Sequence, residues 1–232
     1  MIHIFCEPDD GPALWLAGAL SERDVPVEVS LPEELLVGSR FALELGGDAP
    51  EPRLTTASGV SLSTGNVNAI VARLTSFPVP PLENGSDADL VYAAEECRAS
   101  LVGWFAAWAC PMIGRPAPYT PWGDDASPRE WRVMAASLGL PVAADHLAET
   151  PDNARTDVLA TSGGCFVAGG EAAPSELADP ASRLLPLQND IAAVFRFVEG
   201  PDGPLFDGPV PMVDFGAFGP VVPDMLADLT SP

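Results

Sequence analysis

The order of elements along the chain predicts an α/β protein, with a small, mostly parallel sheet flanked by helices and a smaller α+β C-terminal part. Three observations predict it. A strand–helix–strand sequence opens the chain, which calls for a parallel pair. An apolar run that ends on an arginine, Ala69-Ile70-Val71-Ala72-Arg73-Leu74, reads as a central strand buried on both faces. Beyond residue 155 the pattern changes to short alternating strands joined by Gly-rich turns, the mark of hairpins. The expected division is residues 1–120 and 121–232.

Each element has a local cause. Ile2-His3-Ile4-Phe5-Cys6 is rich in strand formers, and Glu7-Pro8-Asp9-Asp10-Gly11 breaks it. Pro12 to Arg23 carries Leu14, Leu16, Ala17 and Leu20 at helical spacing, and Val25 to Leu31 is the second strand. Pro32 to Leu36 reads as a helical turn. Phe41 to Leu45 and Arg53 to Thr56 read as strands, with a hairpin turn at Ser58-Gly59. Ser86 precedes a long helix, Asp87 to Ala109, whose second half is apolar nearly all round and so must be buried on more than one side. Pro111 to Ile113 is a short strand. Ser127-Pro128-Arg129-Glu130 is a capping box with proline at the first helical position; that helix ends at Gly139. Asp157 to Ala160 and Cys165 to Val167 form a hairpin, and Ser182 to Val194 reads as helical with an interruption at Pro186. Ala193 to Val198 and Pro204 to Met212 are strands across the turn Gly200 to Gly203, and Val222 to Leu229 is a last helix.

The bulk numbers exclude several functions. The chain has 232 residues, a formal charge of −22 and 47% hydrophobic residues, enough to bury a core. All eleven basic residues are arginine, and there is no lysine. No basic stripe exists to displace phosphate counterions, so nucleic acid is excluded as a partner, and an anionic membrane surface is disfavoured. The acidity reads as solubility or a compositional background, with an acidic face for a basic partner as the second reading. The N-terminus lacks the features of a signal peptide, and the most apolar stretch, Ala99 to Met112, is too short to span a bilayer; the expected location is the cytoplasm. Cysteines at 6, 97, 110 and 165 lack C-x-x-C spacing and only His3 and His146 accompany them, so no metal is expected.

Three pieces in order carry a resemblance. They are the arginine-ended strand Ala69 to Arg73, the long helix with Tyr92-Ala93-Ala94-Glu95-Glu96, and Pro111 to Pro116 followed by a capped helix and Gly139-Leu140-Pro141-Val142. Together, over about residues 1–145, they resemble the pre-ATP-grasp part of peptide-ligase-like ATP-grasp proteins. The resemblance implies a pre-ATP-grasp-like domain followed by a shrunken remnant. It also implies lysines on the nucleotide phosphates, and acidic residues with an asparagine, often Glu-x-Asn, on Mg²⁺. This chain has no lysine, and none of Asn66, Asn68, Asn84, Asn153 and Asn189 stands in Glu-x-Asn.

The expected function is therefore a catalytically silent accessory or binding subunit. The resemblance implies support of peptide or natural-product biosynthesis, with a peptide or a biosynthetic enzyme as partner, self-association left open, no catalytic residue and no cofactor. The alternatives are an ATP-dependent carboxylate–amine ligase that uses arginines for lysines, and an acidic interaction module. The binding residues expected are Arg73, Glu95, Glu96, Arg115, Tyr119, Trp122 and Trp131. Arg73 and Arg115 end apolar runs: they either hold a carboxylate by a bidentate fork or form structural salt bridges, with Glu95 or Glu96 as partners. Tyr119, Trp122 and Trp131 are either an aromatic anchor for a partner or a loop packed on its own helix. Asp9-Asp10 reads as favourable charge at a helix N-terminus, with a metal or amine site as the alternative. Thr161-Ser162-Gly163-Gly164 reads as a hairpin turn, with a phosphate loop as the alternative. A Cys165–His146 nucleophile pair finds little support.

Overall fold

The computed structural model describes all residues except 36–39, 46–49, 57, 80–84, 124–125, 145–154, 189 and 231–232, and the side chains of Glu33 and Phe41. The chain forms two compact units, Met1–Asp125 with Leu226–Pro232, and Ala126–Met225.

In the first unit, β1 (Ile2–Cys6), β2 (Val27–Ser30), β6 (Ala69–Arg73) and β7 (Met112–Ile113) form a parallel sheet in the order β2-β1-β6-β7. Both β1 and β6 are buried at every position, as their mainly apolar sequences lead one to expect, with His3 and Arg73 buried among them. One side of this sheet takes α1 (Gly11–Ser21), whose Ala13, Leu16 and Leu20 are buried. The other side takes α2 (Asp87–Ala106) and a second, antiparallel sheet of β3 (Arg40–Glu44), β4 (Glu51–Thr55) and β5 (Ser61–Ser63). Trp104 on α2 and Trp108, just past the end of that helix, meet at 5.4 Å between ring centroids, and Phe5 stands edge-on to Phe105 at 5.4 Å. The indole of Trp104 donates to the Arg53 carbonyl and ties α2 to β4. The Ser86 capping box is closed by Asp89, which fixes where α2 begins.

The second unit begins with α3 (Pro128–Ser137), capped by Ser127 and Glu130 and ended by Gly139 at φ +75°. Its sheet is antiparallel in the order β11-β10-β8-β9, built from β8 (Arg155–Thr161), β9 (Gly164–Phe166), β10 (Ala192–Gly200) and β11 (Gly203–Pro209). One face packs on α3 and α4 (Ser175–Leu184) through Trp131, Leu177, Leu184, Val158, Phe195 and Phe206. Each edge strand carries one isolated bridge, Val142 on Phe206 and Ala172 on Phe166. The last helix is α5 (Val221–Asp228).

The helix expected over Ser182 to Val194 lies earlier, at Ser175–Leu184, and residues Ala192 to Val194 belong to β10. Pro180 sits inside the helix and masks its pattern, yet Leu177, Ala181 and Leu184 keep a helical spacing and are buried. Among the described residues, no helix is long and apolar enough to cross a membrane.

Candidate functional site

The first region of interest is the carboxyl end of the parallel sheet. The strand order reverses between β1 and β6, the position at which open α/β sheets form a crevice. Arg73 at the end of β6 reaches Asp10, just past β1, in a bidentate pair: Nε to Oδ2 at 2.7 Å and one terminal nitrogen to Oδ1 at 3.0 Å. Both side chains are 6% exposed. Asp10 also accepts from the Ala13 backbone N–H and so caps α1. The carboxylate is thus held by a guanidinium and a helix N-terminus together. Beside it, Thr75 donates to Glu7 at 2.8 Å. Burial pushes the Cys6 thiol up to about 11, with the Asp10 charge adding to it, so this cysteine stays protonated.

Arg115 follows β7 and turns back to the end of α2, where it donates to the carbonyls of Phe105 at 2.9 Å and Trp108 at 3.4 Å. It satisfies C-terminal carbonyls and complements the helix dipole there. Gly114 makes this turn feasible: it has φ +71°, and a Cβ would lie 2.3 Å from the Ala72 carbonyl oxygen. The chain then forms a tight turn, with Ala117 and Thr120 exchanging backbone hydrogen bonds, and Tyr119 stands at its tip, 78% exposed. Arg98 lies over the Tyr119 ring at 5.6 Å and pairs with Glu95, one turn back on α2. The structure therefore brings Glu95 and Tyr119 to one surface through Arg98. Glu96 is exposed on the same helix, and Trp122 is partly exposed in the loop. Trp131 is 1% exposed and packs on Phe195 and Phe206 in the core of the second unit, so its ring is not presented to solvent.

The remaining sequence candidates resolve locally. Thr161 to Gly164 is a hairpin turn: the Thr161 hydroxyl accepts from Gly163 N–H and donates to the Gly164 carbonyl. Cys165 donates to the Ala178 carbonyl, and desolvation, helped by Asp179, raises its pKa, which disfavours a thiolate nucleophile. His146 lies outside the described residues.

A second region was not singled out in the sequence. An open pocket of about 630 Å³ lies in the second unit, on the face of the antiparallel sheet opposite the α3–α4 core. Its floor is the alternate residues of β8 and β10, among them Asp157 and Arg196, and its wall is the segment from Val210 to Phe218. Arg196 and Asp157 sit opposite each other in the strand register and form a bidentate pair at 2.7 and 2.8 Å. Met212 in the wall has φ +54°, a left-handed conformation uncommon outside glycine. The sequence signal was a charge of alternate parity inside each strand, Arg155 and Asp157 in β8 and Arg196 between Phe195 and Phe197 in β10.

No family model and no curated protein matches the chain. Solved structures do. The macrocyclase MdnC of Microcystis aeruginosa, bound with precursor peptide MdnA, superposes with a TM-score of 0.71 at 12% identity, covering 100% of this chain and 99% of that one. A RiPP-associated ATP-grasp ligase of Chryseobacterium gregarium, in complex with ADP and a leader and core peptide, gives 0.71 at 11% identity over 100% and 97%. The ATP-grasp ligase PsnB, complexed with a phosphomimetic minimal precursor, Mg and ADP, gives 0.67 at 13% over 99% and 98%. The fold of this chain is ATP-grasp-like.

Proposed function

We propose that this chain is a catalytically silent ATP-grasp-like protein that binds a peptide, or supports a catalytic partner, in peptide biosynthesis. The observation that carries the reading is the pairing of this fold with a sequence that contains no lysine. A ground-state triphosphate and a transferring phosphoryl group both need concentrated positive charge. Arginine supplies a planar fork rather than a compact ammonium. Two of the arginines nearest to plausible sites, Arg73 and Arg196, are already bidentate to Asp10 and Asp157. The peptide half of the reading is supported by the three similar structures, which carry a precursor peptide, a leader and core peptide, and a minimal precursor. On this reading the protein works in the cytoplasm without a cofactor, with a pre-ATP-grasp-like part over residues 1–120 and a reduced part over 121–232.

Titration calorimetry with Mg²⁺ and a non-hydrolysable ATP analogue tests the silence directly. No saturable heat is expected. Saturable one-to-one binding at micromolar nucleotide would overturn the proposal and favour a ligase that uses arginines in place of lysines.

A further inference from the structure

The helix α1 has a composition at odds with its place at the surface. None of its residues, Gly11 to Ser21, carries a charge, in a chain of net charge −22. Ala13, Leu16 and Leu20 turn inward and are buried, as a helix flanking a sheet requires. The outward face is apolar too, where such a helix ordinarily carries its polar residues. Leu14 is 46% exposed and Trp15 is 40% exposed. Gly11 and Gly18, one turn to either side of them, are exposed as well.

Neither the backbone nor the packing calls for glycine at 18: its φ is not positive, and a Cβ there would meet nothing within 4 Å. A glycine in a helix interior is nonetheless destabilising relative to alanine. The missing side chain leaves a notch, over which a second helix can come closer than longer side chains allow. Leu14 and Trp15 form a ridge one turn away from it. A ridge and a notch on one helix are self-complementary. A two-fold axis through the middle of α1 sets a second copy antiparallel, with Leu14 of each opposite Gly18 of the other. Charge points the same way. Two chains of net charge −22 repel, and they approach at least cost where neither carries a charge. A basic partner would find no carboxylate between Gly11 and Ser21 to pair with. The carboxylates stand at the ends. Asp9 precedes the helix and Glu22 and Asp24 follow it, all exposed, while Arg23 donates to the Ala19 carbonyl. One helix face per copy covers well under the roughly 800 Å² a side of a standard stable interface, so the association is weak and reversible.

We infer that the outward face of α1 is a self-association surface: two copies of this chain pack there antiparallel, with Leu14 and Trp15 of each against Gly18 of the other. The inference goes beyond the function proposed above and stands whether or not the chain is catalytically silent.

Sedimentation velocity of the whole chain at physiological salt, from about 5 to about 500 µM, is the test. A reversible monomer–dimer equilibrium with Kd on the order of 10–100 µM is expected. Raising the salt to about 0.5 M should tighten it several-fold, because the like charges at the helix ends are screened and the apolar contact is not. Gly18→Gln fills the notch and should weaken the dimer about tenfold or more. The same variant should resist denaturant at least as well as the parent, because glutamine is the better helix former and its Cβ has open space. That pair of results separates loss of the surface from loss of the fold. Leu14→Gln, which lowers the ridge, should weaken the dimer as well. Val133→Gln, at an exposed apolar position on α3, should leave it unchanged. A chain that stays monomeric over the whole range overturns the inference. So does association that weakens with salt, a Gly18→Gln variant that dimerises like the parent, or a Val133→Gln variant that loses as much as Leu14→Gln.

Discussion

The two units each hold an arginine and an aspartate in the same bidentate geometry, and burial separates them. Arg73 and Asp10 are 6% exposed, and the aspartate caps a helix as well. Arg196 and Asp157 are about a third exposed and floor an open pocket. In the first unit the pair joins the carboxyl ends of two neighbouring parallel strands, so removing one partner strands a charge in a place water reaches poorly. In the second the pair lies across neighbouring strands, and water can take over for either partner. The same guanidinium–carboxylate fork thus serves as a lock in one unit and as a polar floor in the other. A site search by hydrogen-bond pattern alone would not tell them apart.

Four measurements break or sharpen this contrast. The largest effect is expected at the lock: Arg73→Ala should cost about 3 kcal/mol in chemical denaturation, because Asp10 is left buried with only the N-terminus of α1 to hold its charge. A loss under about 1 kcal/mol would remove the distinction between the pairs.

Acid should separate the units next. His3 is fully buried on β1, neither ring nitrogen has a hydrogen-bond partner among the described residues, and burial pushes its pKa down to about 3. The unfolded chain protonates this histidine near 6.5 while the folded chain keeps it neutral. Stability is therefore full above pH 6.5 and falls as the pH drops below it, at about 1.4 kcal/mol per pH unit from this group. Denaturation between pH 6.5 and 5 measures the slope, and His3→Leu should flatten it; an unchanged slope in that variant would assign the loss to other groups.

Third, Ser127→Ala opens the capping box of α3 and should cost about 1 kcal/mol. Amide exchange in the first turn of α3, with that of α2 unaltered, is the accompanying sign. The smallest effect belongs to the pocket floor. Arg196→Ala should cost ~1 kcal/mol or less once solvent screening is counted, and the cost should shrink further in high salt. A salt-insensitive loss as large as that of Arg73→Ala would make the floor a second lock.

Much of this fold was legible where the information is local. The apolar runs Ile2 to Cys6 and Ala69 to Arg73 announced buried parallel strands, and both Ser127 and Ser86 announced helix starts. Legibility failed where a local signal was overwritten or where partners were distant. Pro180 hid the α4 pattern. Asp10 and Arg73 are 63 residues apart and meet only because β1 and β6 pair in parallel. Tyr119 and Glu95 looked unrelated until Arg98 joined them. Trp131 admitted two readings, an anchor for a partner or packing against its own helix, and its position on the inner face of α3 buries it. The pocket needed β8, β10 and the Val210 to Phe218 segment at once, and no window of sequence contains all three.

The bridged edges of the antiparallel sheet have a consequence for recruitment. Pro141 to Ala143 exchanges backbone hydrogen bonds with Phe206, and β11 itself carries Pro204 and Pro209, which have no N–H to offer. At the other edge, Ala173 and Val167 tie residues 171–173 to the end of β9. An incoming chain would find Phe206, in the middle of one edge, and Phe166, at the end of the other, already bridged, so annealing as an uninterrupted extra strand, the mode that reads backbone and tolerates almost any side chain, is disfavoured there. Docking on this sheet is thereby shifted toward recognition through side chains, and selectivity should follow the guest's sequence more than its capacity to extend.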